Sequence, residues 1–380
     1  MSIKELGQYF TINKKLQSFV FKKVKHKSKP LLEPSFGAGH LLRLFKEYRD
    51  DYPMICYEID ETIKPVVNFN ENQTVEYGDF MKTDIPTKFK TIIGNPPYVK
   101  QSTGNLYLKF IEKCYECLDE DGELIFIVPS DFIKLTRAGP IINKMILEGS
   151  FTDFLFPNDE SLFDKASIDV VVFRYEKGIF TNKALVNETE MFCNVKNGIV
   201  TFSDKEVCGG KPISDFFNAY VGIVSGRDSV YKQTFGNIDV LQDKDKIEKF
   251  IQVKTLPSGD ERIDAWLNSH KDELMNRKIR KFSEKTWFEW GALRNISQVE
   301  NNLGKMCIYI RNMTRSKEIA FIDKVQYFGG SLICLIPKND ISKSDMQTIV
   351  ETLNSENFRN NYTYAGRFKI GHKQICNAEI

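Results

Sequence analysis

The sequence predicts a doubly wound α/β domain with a mostly parallel sheet, followed by a separate mixed α+β domain. Three observations carry that reading. Between Pro30 and Tyr175, short β-rich segments alternate with longer amphipathic ones, the pattern of successive strand–helix units. After about Lys177 the alternation stops, and hairpin-like and mixed segments take over. A chain of 380 residues also suits two domains, here expected as 1–209 and 210–380.

Taken in order, the expected strands of the first domain are Lys29–Glu33, Met54–Glu58, Thr74–Tyr77, Thr91–Gly94, Gly122–Pro129, Phe151–Phe156 and Val170–Arg174. Helical spacing falls at Leu41–Tyr48, Ile63–Asn68, Leu106–Leu118 and Gly139–Leu147. Lys183 to Asp204 reads as hairpin material, with Asn197-Gly198 as the turn. Gly209-Gly210-Lys211-Pro212 reads as a linker. Beyond it lie glycine-containing turns such as Val224-Ser225-Gly226-Arg227-Asp228 and an apolar strand at Ser331–Pro337. Internal repeats and low-complexity segments are absent from the sequence.

Hydrophobic residues make up 42% and charged residues 27%, which suits a globular protein with an ordinary core. No apolar run reaches bilayer length, and the opening residues lack the apolar stretch of a secretory signal. The expected location is cytoplasmic, or nuclear or a viral factory for a DNA virus, and not secreted. The eight cysteines are scattered. Cys114 and Cys117 lie in a helical pattern without a second pair or a nearby histidine, so no metal is expected. Net charge is only +2, which excludes a globally basic chain. The lysines at 22, 23, 25, 27 and 29, and the cluster Arg277, Lys278, Arg280 and Lys281, gain meaning only beside a separate argument for nucleic acid.

The chemistry gathers at the ends of the predicted strands, where open α/β sheets bind ligands. The first strand runs into Glu33-Pro34-Ser35-Phe36-Gly37-Ala38-Gly39-His40, a turn whose glycines let backbone approach a ligand at a helix start. It is not the dinucleotide fingerprint, because Leu42 stands at the third glycine position. Glu58 ends the second strand in Tyr57-Glu58-Ile59-Asp60 and is suited to accept from both hydroxyls of a ribose, with Ile59 against an adenine ring. Asp79 and Phe80 follow the third strand, one an acceptor for an amino group and the other a stacking ring.

The most informative segment is Ile92-Ile93-Gly94-Asn95-Pro96-Pro97-Tyr98, an apolar strand that stops at Asn-Pro-Pro-aromatic. Prolines fix φ and remove two backbone donors, which leaves carbonyls free to accept. Asn95 adds a side-chain acceptor, and Tyr98 offers a flat face to a planar ring. Two acceptors converging on one amine would hold its lone pair towards a methyl donor.

In the order GQYFT (Gly7–Thr11), EPSFGAG (Glu33–Gly39), YEID (Tyr57–Asp60), GDF (Gly78–Phe80), NPPY (Asn95–Tyr98) and GELIFIVPSDF (Gly122–Phe132), the chain resembles the γ-class, TaqI-like, site-specific DNA adenine-N6 methyltransferases of restriction-modification systems. That resemblance implies a Rossmann-like domain dependent on S-adenosyl-L-methionine, and a C-terminal target-recognition domain. Gly7, Gln8, Tyr9 and Thr11 would cover the methionine end of the cofactor. Glu33, Pro34, Gly37 and Gly39 would line its site, Glu58 would hold the ribose, and Ile59, Asp79 and Phe80 the adenine. Asn95 would border the cofactor and, with the carbonyl of Pro96 beside Pro97, accept from the target amine. Tyr98 would stack on the target base and Phe163 would close its opposite face. An amine inside a duplex is out of reach, so the base would be flipped out.

For the second domain the resemblance implies contacts with double-stranded DNA, for which Arg227, Lys232, Arg277, Arg280, Lys281, Arg294, Arg311 and Arg315 are the candidates. A restriction endonuclease acting separately is an expected partner; a membrane is not. Two alternatives stay open. An Asn-Pro-Pro-Tyr enzyme can act on a protein glutamine or on RNA, and a catalytically inactive methyltransferase fold can serve as a DNA-binding subunit.

Overall fold

The computed structural model describes residues 10–26, 29–101, 104–157, 159, 162–163, 168–204, 206, 210–364 and 367–380. The chain divides into two compact units, Met1–Cys208 with Tyr364–Gly366, and Gly209–Thr363 with Arg367–Ile380. Among the described residues, no helix is long and apolar enough to cross a membrane.

The first unit is built on a ten-stranded sheet. Its strands are β1 Leu31–Glu33, β2 Met54–Glu58, β3 Gln73–Tyr77, β4 Phe89–Gly94, β5 Leu118–Pro129, β6 Gly149–Leu155, β7 Val170–Lys177, β8 Lys183–Val186, β9 Thr189–Lys196 and β10 Ile199–Ser203. Across the sheet they run β10-β9-β8-β6-β7-β5-β4-β1-β2-β3. The pairs from β3 to β5 are all parallel, whereas β7 is antiparallel to both β5 and β6. Strand order therefore reverses between β1 and β4, and the crevice of such a sheet opens beyond the C-terminal ends at that reversal. The central strands are buried along almost their whole length; β5 reads Leu124-Ile125-Phe126-Ile127-Val128 without an exposed position, as a sheet covered on both faces requires.

Helix α1, Lys14–Lys23, starts at Asn13, whose side chain accepts from Lys15 N and Leu16 N at 2.9 and 3.3 Å. It buries Leu16, Gln17 and Val20. A buried charge network lies close to its end. Arg174 donates to Glu123 Oε2 at 2.9 and 2.8 Å, and also meets Asp153 and Glu176. Lys23 and Lys25 pair with Asp153 and Glu176, so these two members of the basic run already have carboxylate partners in the fold, Lys25 from an exposed position. Further helices are α2 Arg43–Tyr48, reached through a 3₁₀ turn at His40–Leu42, α3 Leu106–Glu116 and α4 Gly139–Glu148.

Two expectations are corrected. Ile63–Asn68 is not helical: Pro65 sits in its middle and disfavours α geometry at Lys64. Val66 N donates instead to Ala38 O at 2.8 Å, and Val67 packs into the core. Nor is Gly210–Pro212 a free linker. Ile380 N donates to Lys211 O, Ile213 N donates to Ala378 O, and Pro212 bridges Glu379. The Asn197-Gly198 turn forms with φ of 52° and 73°, the handedness that closes a two-residue hairpin, and it joins β9 to β10.

The second unit is mixed α+β. Strands β11 Phe217–Val221, β14 Met306–Arg311, β15 Ala320–Lys324 and β16 Leu332–Pro337 form an antiparallel sheet in the order β11-β16-β14-β15. A hairpin, β12 Ile238–Asp243 with β13 Lys246–Phe250, and helices α5 Glu261–Ser269 and α6 Lys343–Asn354 complete it. Trp287 and Trp290 belong to one of its cores with Tyr231, Ile263 and Leu267; the indole of Trp290 donates to Ile251 O at 2.7 Å.

Candidate functional site

A cavity of about 540 Å3 opens where β1 to β4 end, a volume typical of a site for a cofactor-sized ligand. Each of the four strands contributes at the point where it stops. Glu33 ends β1, Glu58 ends β2, Gly78 and Asp79 follow β3, and Asn95 follows β4. These ends are tied together through the backbone: Phe36 N donates to Tyr57 O, and Gly78 N to Glu58 O, both at 2.8 Å. Register thus brings residues spread over more than sixty positions into one wall.

The turn after β1 depends on glycine. Gly37 and Gly39 have φ of 57° and 81°, a region that side chains with a Cβ enter at a cost. A Cβ on Gly39 would lie 2.4 Å from the Phe36 ring and 2.9 Å from Val67. Gly39 therefore packs behind the turn and does not line the cavity, contrary to the expectation for it. Gly37 does line it, and its N–H donates to Glu58 Oε2 at 2.6 Å. The other oxygen of Glu58 accepts from Asp60 N at 2.9 Å. Each carboxylate oxygen can accept a second hydrogen bond, so Glu58 is held in place with capacity left for a pair of hydroxyls. Burial raises its pKa, against the pull of these backbone donors.

Glu33 is almost wholly buried, and its Oε1 has no hydrogen-bond partner within the protein. Burial pushes its carboxyl well above the ordinary range, with Ser35 pulling the other way and Glu58 adding repulsion. An orphaned buried acceptor on the cavity wall is expensive to fold and fits a polar ligand that arrives to satisfy it. Ile59, half exposed, and Phe80, buried and stacked on Phe110 at 5.6 Å, supply apolar surface beside Asp79. Acid, apolar face and acceptor succeed one another as a nucleoside with a polar tail demands.

Asn95 stands at the mouth of this wall. Its Nδ2 donates to Thr11 Oγ1 at 3.0 Å, and Oδ1 accepts from the Tyr98 hydroxyl at 2.5 Å. Thr11 is held in turn by Gln17 of α1, which donates to its carbonyl at 2.7 Å. Thr11, Pro34, Asn95 and Pro97 line the cavity; Pro96, Tyr98 and Phe163 do not. Pro96 is buried beside them. The rings of Tyr98 and Phe163 lie 6.3 Å apart at 85°, so the parallel-walled slot expected for a base is not formed as the protein stands. The hydroxyl of Tyr98 also lies 3.1 Å from Ile127 O, and its bonds anchor the ring in this orientation. Gly7, Gln8 and Tyr9 lie outside the described residues.

Phe10 and Phe36, which stand inside the quoted motifs without an assigned role, line the cavity too, and Leu41, Met81 and Phe110, which the motifs leave out, complete it. Their apolar character reads as core, and only the meeting of the strand ends with α3 turns them towards a ligand. Among the described residues, no group of three or more His, Cys, Asp or Glu is arranged to hold a metal.

The eight basic candidates of the second unit divide. Arg277 is buried, and its guanidinium donates to the carbonyls of Leu274, Ser225, Trp287 and Glu289. It is a strut of the fold, which corrects its assignment to DNA. Arg311 is largely enclosed, with Asp243 at 2.7 Å and the Glu318 carbonyl. Arg227, Lys232 and Arg280 carry surface pairs with Glu273, Glu248 and Glu289, contacts weak enough to exchange for a phosphate. Arg294 donates to Gly222 O at 3.2 Å, and Lys281 and Arg315 are exposed.

Residues 40–163 match the family model described as Eco57I restriction-modification methylase. The type II methyltransferase M.HincII of Haemophilus influenzae is 29% identical over 197 residues, 46% of this chain and 38% of its own. The type II methyltransferase M.AccI of Acinetobacter calcoaceticus is 27% identical, over 43% of this chain and 35% of its own. The modification methylase CviBIII of Paramecium bursaria Chlorella virus NC1A is 32% identical, over 31% and 35%. Among solved structures, the DrdV–DNA complex aligns over 94% of this chain and 53% of its own, at 10% identity and a TM-score of 0.47. The chain spans less than half the length of these curated relatives. Its first unit has the Rossmann-type methyltransferase fold, and residues 40–163 within it are similar to methylases of restriction-modification type.

Proposed function

We propose that the protein is a site-specific DNA methyltransferase that moves the methyl group of S-adenosylmethionine to the N6 amine of an adenine flipped out of double-stranded DNA. The observation that carries this reading is the position of Asn95: a side-chain acceptor at the end of β4, on the wall of a cavity whose other strand ends suit a nucleoside. The match of residues 40–163 to a restriction-modification methylase supports DNA as the substrate.

On this reading Glu58 accepts from the ribose hydroxyls, Ile59, Asp79 and Phe80 take the adenine, and Thr11, Pro34, Gly37 and the orphaned Glu33 face the amino-acid end. Bound there, S-adenosylmethionine supplies a methyl group on a sulfonium, a leaving group that needs no protonation. Transfer would release S-adenosylhomocysteine and shed one amine proton to solvent, so the protein's task is orientation rather than base catalysis. Asn95 Oδ1 and the Pro96 carbonyl accept from the target amine and aim its lone pair. Tyr98 turns its face to the base, which pairs it with Phe163 and offsets the cost of unstacking. Exposed cations of the second unit, Lys281 and Arg315 first, neutralise phosphates. A separate restriction endonuclease is the partner that this activity implies.

The test is incubation of the protein with radiolabelled S-adenosylmethionine and unmethylated DNA, followed by digestion to nucleosides. Label in N6-methyladenosine is the expected result. Label only on protein or RNA points to another substrate for the same motif, and no transfer to any of them points to a binding subunit.

A further inference from the structure

The wall that follows β3 is a tight turn. Lys82 N and Thr83 N both donate to the Asp79 carbonyl, at 2.9 and 3.1 Å, and Met81 N donates to Asp79 Oδ1 at 3.0 Å. Such a turn spends its donors inwards and leaves later carbonyls without partners, as at the end of a helix. Two of them, on Phe80 and Thr83, are taken by one cation. Lys113 of α3 reaches across to donate to both, at 2.5 Å in the case of Thr83. Its ammonium also lies 4.7 Å from the centre of the Phe80 ring. One turn earlier on the same helix, Phe110 stacks on that ring at 25°.

Lys113 does not line the cavity, but Gly78, Asp79, Phe80 and Met81 all do. Charge-assisted bonds to the carbonyls of Phe80 and Thr83 hold this turn by its backbone, and the ring of Phe80 touches both Phe110 and the ammonium. We infer that Lys113 is a positioning residue for the nucleoside end of the cavity, acting through Asp79 and Phe80. The inference rests on the reading of the cavity as a site for S-adenosylmethionine.

Titration calorimetry with S-adenosylhomocysteine tests it on wild type, Lys113→Met and Lys113→Arg. Lys113→Met keeps the aliphatic stem and loses the donors; it binds roughly tenfold more weakly. Lys113→Arg restores affinity to within about threefold, because its fork reaches two carbonyls. In turnover, KM for the cofactor rises in Lys113→Met while kcat holds. Should Lys113→Met fail to fold by circular dichroism, Lys113→Leu, which likewise lacks donor and charge, carries the same comparison. A variant that folds, lacks the cation and binds like wild type overturns the inference, as does a fall in kcat with KM unchanged. Absence of binding by wild type itself would instead overturn the reading of the cavity.

Discussion

The hydroxyl of Tyr98 donates to Oδ1 of Asn95 across 2.5 Å, and the same hydroxyl lies 3.1 Å from the carbonyl of Ile127. A phenol has one proton and can serve only one of these acceptors at a time. An amide oxygen can accept two hydrogen bonds, so on the proposed reading Tyr98 competes for the acceptor offered to a substrate amine without closing it, and Ile127 O is the place to which its proton can turn.

It follows that the ring and the hydroxyl of Tyr98 are separable. Tyr98→Phe keeps the stacking face, and its turnover stays within about tenfold of wild type. Tyr98→Ala loses a stacking surface worth about 1–3 kcal/mol, so its kcat/KM for DNA falls roughly ten- to a hundredfold. Steady-state kinetics of both variants decide the point; equal losses would assign the role to the hydroxyl.

Asn95→Ala removes the acceptor itself. Turnover is abolished while binding of S-adenosylhomocysteine stays near that of wild type, measured by calorimetry. Thr11→Val removes the partner of Asn95 Nδ2 at 3.0 Å and costs an intermediate factor, roughly tenfold in kcat. Loss of cofactor affinity in Asn95→Ala as large as its loss of turnover would sink the role given to the amide.

Glu33 makes a prediction of opposite sign for stability and binding. Burial raises its carboxyl well above the ordinary 4.5, so folding favours the protonated form. That stability is fully present below about pH 4.5 and is lost as pH rises through the folded-state value. Above the unfolded-state value, folding must therefore either take up a proton or bury the charge, and either opposes it. Glu33→Gln melts higher than wild type at about pH 8, by roughly 2–4 °C per kcal/mol gained, and the difference shrinks towards about pH 4. The same variant binds S-adenosylhomocysteine more weakly. Paired melting curves across pH, without ligand, check the sign.

Arg174→Met leaves Glu123, Asp153 and Glu176 buried against one another. Breaking such a network from one side costs about 3–5 kcal/mol, readable as a lower urea midpoint for the first unit. An unchanged midpoint would mean that Lys23 and Lys25 suffice.

In the second unit, Arg277→Ala lowers the melting temperature, since four carbonyls lose their donor. Lys281→Ala with Arg315→Ala leaves melting unchanged and weakens DNA binding, reducing the salt slope by about two. Filter binding at several salt concentrations separates the two behaviours; a normal slope in the double variant would remove both residues from the DNA surface.

Legibility followed the range of the physics. That Glu58, Asp79 and Asn95 line the cavity was legible because each stands where a strand pattern breaks, and clefts of such sheets open at strand ends. Pro65 argued against the helix expected at Ile63–Asn68, a local signal outweighed there by apolar spacing. Arg277 could not be told from Arg280, three residues on, since burial is not a property of the residue type.

By itself the sequence determined the strand–helix alternation, the strand-end motifs and the glycine turn, all set by side-chain periodicity and backbone sterics within a few residues. Tertiary structure decided what depends on distant parts meeting. It set the reversal of strand order between β1 and β4 that opens the cavity, the turning of Phe110 and Phe10 from core to lining, and the edge-on pose of Tyr98. It also decided which cations are used up inside the fold. Those outcomes rest on packing and hydrogen-bond satisfaction across the whole unit, and no window of the chain contains both partners.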